Sequence, residues 1–225
     1  AKLFTAEGAK VIIRARRAQA LAEVEAEIKA AGGTVLSVPT DIGKVEDCNN
    51  LIETTVATFG RIDVLVNNAG VLDEGLKAIN KFDDADLARV VQINQMGTMY
   101  CMRAALNHML PQQSGSIVNV ASVAGYNGGG GAAYVSSKAA IIGMTKHTAL
   151  RFTGTGIRCN SVNPSTIITP MAKTDPATLH QDMFGQMRKH MNLTVQPCMP
   201  EDVANILLFL ASDESRAITG QVIVA

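Results

Sequence analysis

The stretch 9–38, AKVIIRARRAQALAEVEAEIKAAGGTVLSV, decides the fold class of this chain. It opens with a short β-branched run at 9–15, which is typical of a buried parallel strand. Residues 17–31 then place apolar side chains at helical spacing among Glu and Lys residues and end at two glycines. A second β-branched run, 34–38, follows at once. A strand, a helix and a strand in this order predict a βαβ unit with parallel strands.

The same alternation continues to the end of the chain. We predict, in order, helix 44–59, strand 62–66, a long helix 84–110, strand 116–121, helix 132–152, strand 157–162, a helix near 201–211 and strand 221–224. This order predicts the α/β class, with a doubly wound parallel sheet (Rossmann-like) in three α/β/α layers. No linker divides the chain, so we expect residues 1–225 to form a single domain.

Residues 1–8 have the pattern of the last turns of a helix that ends at a glycine. A dinucleotide-binding sheet begins with a strand and a glycine-rich turn whose amides hold the pyrophosphate, and the sequence contains neither. We therefore expect a fold lacking the first strand and the glycine-rich turn. Two interpretations stay open: roughly 20 further residues precede Ala1 in a longer protein, or the protein lacks this loop and binds dinucleotides weakly.

Composition excludes several classes of function. The 20 basic and 20 acidic side chains cancel, so we expect no nucleic acid partner and no attraction to anionic membranes. The apolar runs are shorter than a bilayer span and the chain does not open on a signal peptide, which predicts a cytoplasmic protein. The four cysteines and four histidines are scattered without metal-ligand spacing. We expect free thiols and no metal site.

Polar residues follow the predicted strands at the edge where ligands bind. Asp41, Asn67, Ser122 and Asn163 each follow the end of a predicted strand. In an open parallel sheet, ligands bind outside the carboxyl ends of the strands. The sequence therefore brings these four residues to one ligand-binding edge.

Tyr134 and Lys138 lie one turn apart on the predicted helix 132–152. An ammonium beside a phenol favours the phenolate, so we expect Lys138 to lower the pKa of Tyr134 and to create a proton-transfer pair. A phenol that only packs and an amine that is only solvated are the alternative. The neighbouring polar residues at the sheet edge favour the proton-transfer interpretation.

Several motifs occur in the order found in the short-chain dehydrogenase/reductase family, which the whole chain resembles. They are the YxxxK pair Tyr134 and Lys138, the upstream Ser122, the Asn67-Asn68-Ala69-Gly70 turn, the helical Asn94, and Asn163-Pro164 ahead of Thr169. The resemblance implies hydride transfer between a nicotinamide and a secondary alcohol or ketone, and a hydroxysteroid or a 3-hydroxyacyl compound is the expected substrate. It also implies four catalytic residues: Tyr134 as the acid or base, Lys138 beside it, Ser122 on the substrate oxygen and Asn94 on a water.

The resemblance further implies a set of cofactor-binding residues. Besides Tyr134 and Lys138 they are Arg16, Asp41, Ile42, Asn67, Ala69, Gly70, Pro164, Ile167 and Thr169. Ala15 stands where NAD-selective members carry an acid, and Arg16 stands where NADP-preferring members often carry a basic residue. NADP is therefore favoured over NAD, unless Arg16 only opens a helix in solvent.

Two departures from the family pattern bear on the site. Tyr134 follows Ser122 by twelve positions, one fewer than the family's usual interval, and the glycines between them can absorb the difference. Ser165 stands where the family usually has Gly.

The region 166–200 matches the family's substrate lid in position, and its methionines suit an irregular apolar ligand. The apolar circumference of the helices 84–110 and 132–152 suggests subunit packing, and the resemblance implies a homotetramer. A hydrolase is disfavoured because Ser122 lacks the flanking glycines of a nucleophile elbow. A lyase or epimerase with the same Tyr-Lys pair, and a non-catalytic dinucleotide-binding protein, remain alternatives.

Overall fold

The computed structural model describes residues 1–172, 175–190 and 195–225. The strands are β1 (Val11–Ala15), β2 (Val35–Pro39), β3 (Val64–Asn67), β4 (Gly115–Val120), β5 (Ile157–Asn163) and β6 (Val222–Val224). The α-helices are α1 (Lys2–Ala6), α2 (Ala18–Ala30), α3 (Val45–Phe59), α4 (Asp84–Val90), α5 (Gly97–Gln112), α6 (Ala124–Asn127), α7 (Ala132–Arg151), α8 (Gln181–His190) and α9 (Pro200–Ala211). The predicted elements are present with small shifts at their ends, while α6 and α8 lie where no helix was predicted.

All strand pairings among the described residues are parallel, but they form two sheets. Strands β3, β4, β5 and β6 pair in that order, and β1 pairs with β2. All six residues of β4 are buried, whereas β1 is half-buried along its whole length. The parallel α/β class is confirmed, and the six strands form one two-stranded and one four-stranded sheet.

The predicted helix 84–110 differs from a regular α-helix in its middle. A π-helical segment, Val91–Met96, joins α4 to α5. Such a segment places one extra residue in the helix and is frequent at functional sites. Here it contains Asn94, whose side chain is fully buried.

Two apolar clusters flank the main sheet. One contains Ile52, Met109 and Ile117 and lies between the sheet and α3 and α5. The other contains Val118, Val162 and Leu210 and lies between the sheet and α9. Neighbouring residues of β4 thus face opposite layers, which fixes the carboxyl end of this strand between them. No helix in the described ranges is long and apolar enough to cross a membrane.

Candidate active site

Strand β4 and helix α7 bring Ser122, Tyr134 and Lys138 to the carboxyl edge of the main sheet. Ser122 lies two residues after the end of β4, and the short helix α6 and a glycine-rich turn then lead to α7. Gly128 takes a left-handed conformation with φ of 79° at the end of α6, which a glycine adopts without strain. The turn therefore accommodates the twelve-residue interval between Ser122 and Tyr134.

Lys138 is almost completely buried. Only 3% of the residue is exposed, and its Nζ donates a hydrogen bond to the carbonyl oxygen of Val120 at 3.0 Å. Burial disfavours the charged amine and lowers the pKa of Lys138 to about 8. The amine thus carries a proton at neutral pH and loses it close to the physiological range.

The pKa of Tyr134 is raised, and the expectation that Lys138 lowers it is wrong in its net direction. Burial of the phenol is the largest cause, a hydrogen bond with the Ser122 side chain lowers the pKa, and the charge of Asp73 raises it again. Lys138 Nζ lies 5.6 Å from the centre of the Tyr134 ring. At neutral pH the phenol is therefore protonated and ready to donate.

Ser122 contacts both the backbone and the phenol. The residue is 9% exposed, and its Oγ accepts a hydrogen bond from the N–H of Ala124 at 3.1 Å. Because this contact uses the oxygen as acceptor, the hydroxyl proton is left to donate. Ser122 and Tyr134 can thus present two donors to one oxygen atom of a ligand.

The π-helical segment holds Asn94 in a fixed orientation. Its Oδ1 accepts the N–H of Val71 at 2.8 Å, and its Nδ2 donates to the carbonyl of Val71 at 2.9 Å and to Ser137 Oγ at 3.0 Å. These contacts tie the segment after Gly70 to helix α7. The Asn94 side chain thus fixes the backbone at Val71, a role that the family resemblance does not imply.

Gly70 lies against both Lys138 and Asn94. A Cβ atom at Gly70 would lie 3.2 Å from Lys138 Nζ and 3.3 Å from Asn94 Oδ1. These distances are shorter than ordinary van der Waals contacts between such atoms. The absence of a side chain at Gly70 thus allows the backbone after β3 to approach the active site.

The remaining residues of the predicted cofactor set fall into two groups. Asn67, Ala69 and Ile42 are engaged with the protein: Asn67 Nδ2 donates to Asn119 Oδ1 at 2.9 Å, Ala69 packs on the main core, and Ile42 belongs to that core. Asp41 closes its own turn by accepting the N–H of Gly43 at 3.0 Å. Any contact of these residues with a cofactor would thus come largely from backbone atoms.

The second group follows two strands: Pro164, Ile167 and Thr169 come after β5, and Arg16 comes after β1. Pro164 is buried and its carbonyl accepts the N–H of Val123 at 3.1 Å. Ile167 forms a bridge with Cys198 and packs on the second core cluster. Thr169 is half-buried and Arg16 is exposed after β1. Arg16 is thus free to reach an anion in solvent.

Sequence reasoning missed three residues that shape this site. Asn119 on β4 accepts a hydrogen bond from Asn67 and donates one to Thr145 on α7 at 2.9 Å. Ser137 accepts a hydrogen bond from the Asn94 side chain. Asp73 is buried beside the start of α7. An Asn in the middle of a predicted buried strand was the one signal available, because such a residue needs buried partners.

The donors around Lys138 suit the ribose of a nicotinamide dinucleotide. Among described residues, Lys138 makes one hydrogen bond and therefore keeps two N–H groups for further acceptors. Gly70 leaves open the space beside this amine that a side chain would fill. Buried, spare donors beside a phenol and a serine define a site for proton transfer next to a hydroxylated ligand, which is the arrangement of a nicotinamide-dependent oxidoreductase.

Comparison with known proteins agrees with this class. A family model described as Enoyl-(Acyl carrier protein) reductase matches residues 1–225. The chain is 37% identical over 227 residues to 3-oxoacyl-[acyl-carrier-protein] reductase FabG of Thermotoga maritima, covering 98% of this chain and 87% of the relative. It is also 37% identical over 220 residues to the BbsD subunit of a substituted succinyl-CoA dehydrogenase of Thauera aromatica, covering 98% and 86%.

A solved structure of a short-chain type dehydrogenase/reductase from Mycobacterium ulcerans superposes with a TM-score of 0.88 at 28% identity, covering 100% of this chain and 82% of that one. The chain belongs to the short-chain dehydrogenase/reductase family. It is therefore an oxidoreductase of the class that uses NAD(P) to interconvert alcohols and ketones.

Proposed function

We propose that this protein interconverts a secondary alcohol and a ketone on a 3-hydroxyacyl substrate, with NADP preferred over NAD. The proximity of the Ser122 hydroxyl and the buried Lys138 amine to the phenol of Tyr134 is the observation that supports this proposal. The names of FabG and BbsD, an acyl-carrier reductase and a CoA-ester dehydrogenase, support an acyl thioester. A hydroxysteroid is the second candidate, because the methionines of the lid region also suit a bulky apolar ligand.

The cofactor, when bound, supplies or accepts the hydride. In reduction, Ser122 donates a hydrogen bond to the carbonyl oxygen, and Tyr134 transfers its proton to that oxygen as negative charge develops on it. The raised pKa of Tyr134 keeps this proton in place at neutral pH. In oxidation, the same two residues act in reverse.

Lys138 would hold the nicotinamide ribose with its spare donors, and its charge would compensate the phenolate that remains after proton transfer. Gly70, Ala69, Asn67, Ile42, Asp41, Pro164, Ile167 and Thr169 would line the rest of the cofactor path through backbone and short side chains. Arg16, which is exposed at the end of β1, would pair with a 2′-phosphate. This last contact supports NADP.

The segment 166–200 would close over the substrate as a lid. Its residues 173–174 and 191–194 lie outside the described part of the chain. Helix α8 carries no buried residue, whereas Leu179 just before it is buried and the N–H of His180 bonds the carbonyl of Gly75 at 2.7 Å. A helix with no buried side chain suits a segment that opens for the substrate.

Exposed apolar side chains on α5 and α7 support a homotetramer. Met99 is 43% exposed and Leu150 is 79% exposed. Such side chains are common at interfaces between subunits. Light scattering on the purified protein measures the assembly directly, and a monomer at micromolar concentration would contradict this part of the proposal.

The function is tested by following nicotinamide absorbance with 3-oxoacyl thioesters, oxosteroids and simple sugars as substrates. We expect turnover to be fastest with a thioester, and Tyr134→Phe to lower kcat about 10²- to 10⁴-fold because the proton donor is lost. Tyr126→Phe is the matched control, since Tyr126 is 75% exposed. Equal activity of parent and Tyr134→Phe would remove Tyr134 from its role. A lack of turnover with every substrate would favour a non-catalytic dinucleotide-binding protein.

A further inference from the structure

Asp73 is a buried acid that the proposed mechanism does not use. It lies in the segment 71–77 after Gly70 and is 5% exposed. Among the residues that the structure describes, neither carboxylate oxygen forms a hydrogen bond of normal length and angle, although the backbone N–H groups of Asp73 and Tyr134 lie close enough to interact with it. Burying a charged group without a partner is costly, so such a carboxylate points to a role.

The carboxylate lies against the amino end of helix α7. A Cβ atom at Gly131, the N-cap residue, would lie only 1.8 Å from Asp73 Oδ2, so the acid occupies the space of the missing N-cap side chain. The N–H of Ala132 donates to the carbonyl of Lys77 at 2.8 Å, which joins the segment to the same turn. A helix of 20 residues presents a positive dipole end here, and a negative charge at that end stabilises it.

Hydrogen bonds from three other elements fix the segment 71–77. They join Val71 to Asn94, the carbonyl of Leu72 to Arg89, the N–H of Glu74 to Asp86, and the carbonyl of Gly75 to His180. The position of the Asp73 carboxylate relative to α7 is therefore set by the π-helical segment, by α4 and by the lid. A charge held in this way acts on its surroundings from a constant distance.

The charged and titratable groups around Asp73 act on it in both directions. Burial is the largest effect and raises the pKa of Asp73, and Asp86 raises it further. The backbone N–H of Asp73 itself, the charge of Arg89 and the backbone N–H of Tyr134 lower it. In return the carboxylate raises the pKa of the Tyr134 phenol. The other titratable groups near Asp73 are Glu74 and Lys77 on the same segment and His180, whose backbone N–H bonds that segment.

We propose that Asp73 is a positioning residue of the active site: its carboxylate takes the place of the missing N-cap side chain of α7, and its negative charge, held at the end of the helix that carries Tyr134, disfavours the phenolate. The second half of this inference rests on the proposed function of Tyr134 as acid and base. Asp73 acts through Tyr134 and through the helix, without contact with the reacting atoms.

The test titrates the phenol directly and needs no turnover. Ultraviolet phenolate absorbance is recorded against pH for the parent and for Asp73→Asn, and the same titration of each protein carrying Tyr134→Phe is subtracted, which isolates one of the three tyrosines. We expect the Tyr134 transition to move down by about 0.5 pH units when the negative charge is removed. Asp84→Asn is the matched control, because it removes an exposed carboxylate at the start of α4. A coincident titration of parent and Asp73→Asn would overturn the proposal.

Kinetics supply a second readout. In alcohol oxidation we expect the pH profile of kcat/KM for Asp73→Asn to shift downward by the same amount, with kcat affected more than the KM for the alcohol. Asp73→Ser, a smaller neutral acceptor, is measured in parallel so that the result does not depend on the folding of one variant. A lower Tm with an unshifted phenol would reduce Asp73 to a purely structural residue. Absence of turnover in the parent would count against the proposed function and leave the absorbance test intact.

Discussion

Replacing Lys138 with Met should change how the stability of the protein depends on pH. The buried amine has its pKa lowered from 10.5 to about 8. Below pH 8 the folded protein carries a buried ammonium. Between about pH 8 and 10.5 the folded amine is neutral while the unfolded amine is still protonated. The unfolded state then binds more protons, so the free energy of unfolding of the parent rises with pH across this window.

The size of the effect follows from the two pKa values. A difference of about 2.5 pH units corresponds to about 3 kcal/mol in total, of which about 2.5 kcal/mol is gained between pH 7 and pH 10. Met has a similar length and no charge, so Lys138→Met lacks this gain. At pH 7 the substitution removes the cost of burying the ammonium and loses the hydrogen bond to Val120, worth about 1–3 kcal/mol. The two proteins should therefore be of similar stability at pH 7 and separate as the pH rises.

Urea unfolding followed by circular dichroism at pH 7, 8, 9 and 10 measures this separation. Other titrating groups cancel in the difference between the two proteins. Lys146→Met, which replaces an exposed lysine on the same helix, should keep a constant offset from the parent. If the free energies of unfolding of the parent and of Lys138→Met changed in parallel with pH, the protein would not lower the pKa of the Lys138 amine.

Three further substitutions test other parts of the site. Asn94→Ala should lower the free energy of unfolding by about 2–4 kcal/mol, because backbone groups lose buried partners, and exposed Asn49→Ala on α3 should change it little; equal effects in urea unfolding would contradict this. Gly70→Ala should lower kcat more than about tenfold in steady-state assays by displacing Lys138, while Tm changes by a few degrees; an unchanged kcat would refute the close approach. Arg16→Ala should raise the KM for NADP about tenfold and leave the KM for NAD unchanged; equal shifts for both cofactors would remove Arg16 from cofactor selection.

The architecture was predictable because each element has a local signature. The βαβ pattern of residues 9–38 and the glycines that follow the first three helices are visible in the sequence alone, and the helices and strands found in the structure follow them. Tyr134, Ser122 and Lys138 could be brought together because strand ends converge at one edge of a parallel sheet. These inferences need only sequence spacing.

The electrostatics of the site could not be predicted in the same way. The pKa of Tyr134 depends on its burial, and burial of a partly polar side chain is set by the three-dimensional neighbours. Asp73 looks like an ordinary loop acid in the sequence, and only the contact with Gly131 shows its proximity to α7, the helix that carries Tyr134. The separation of the strands into a two-stranded and a four-stranded sheet likewise depends on which strands become neighbours in the folded protein.

The π-helical segment Val91–Met96 lets the two halves of one long helix, α4 and α5, face different partners. The Asn94 side chain faces the segment after Gly70 and bonds its backbone. From Gly97 onward the helix instead faces the core, where a Cβ atom at Gly97 would lie 2.7 Å from the carbonyl oxygen of Ile42. A regular helix turns by a fixed angle per residue and would tie one phase to the other. Deleting a single residue between 91 and 96 would restore a regular helix. Either the contacts of Asn94 or the close packing of Gly97 on Ile42 would then be lost.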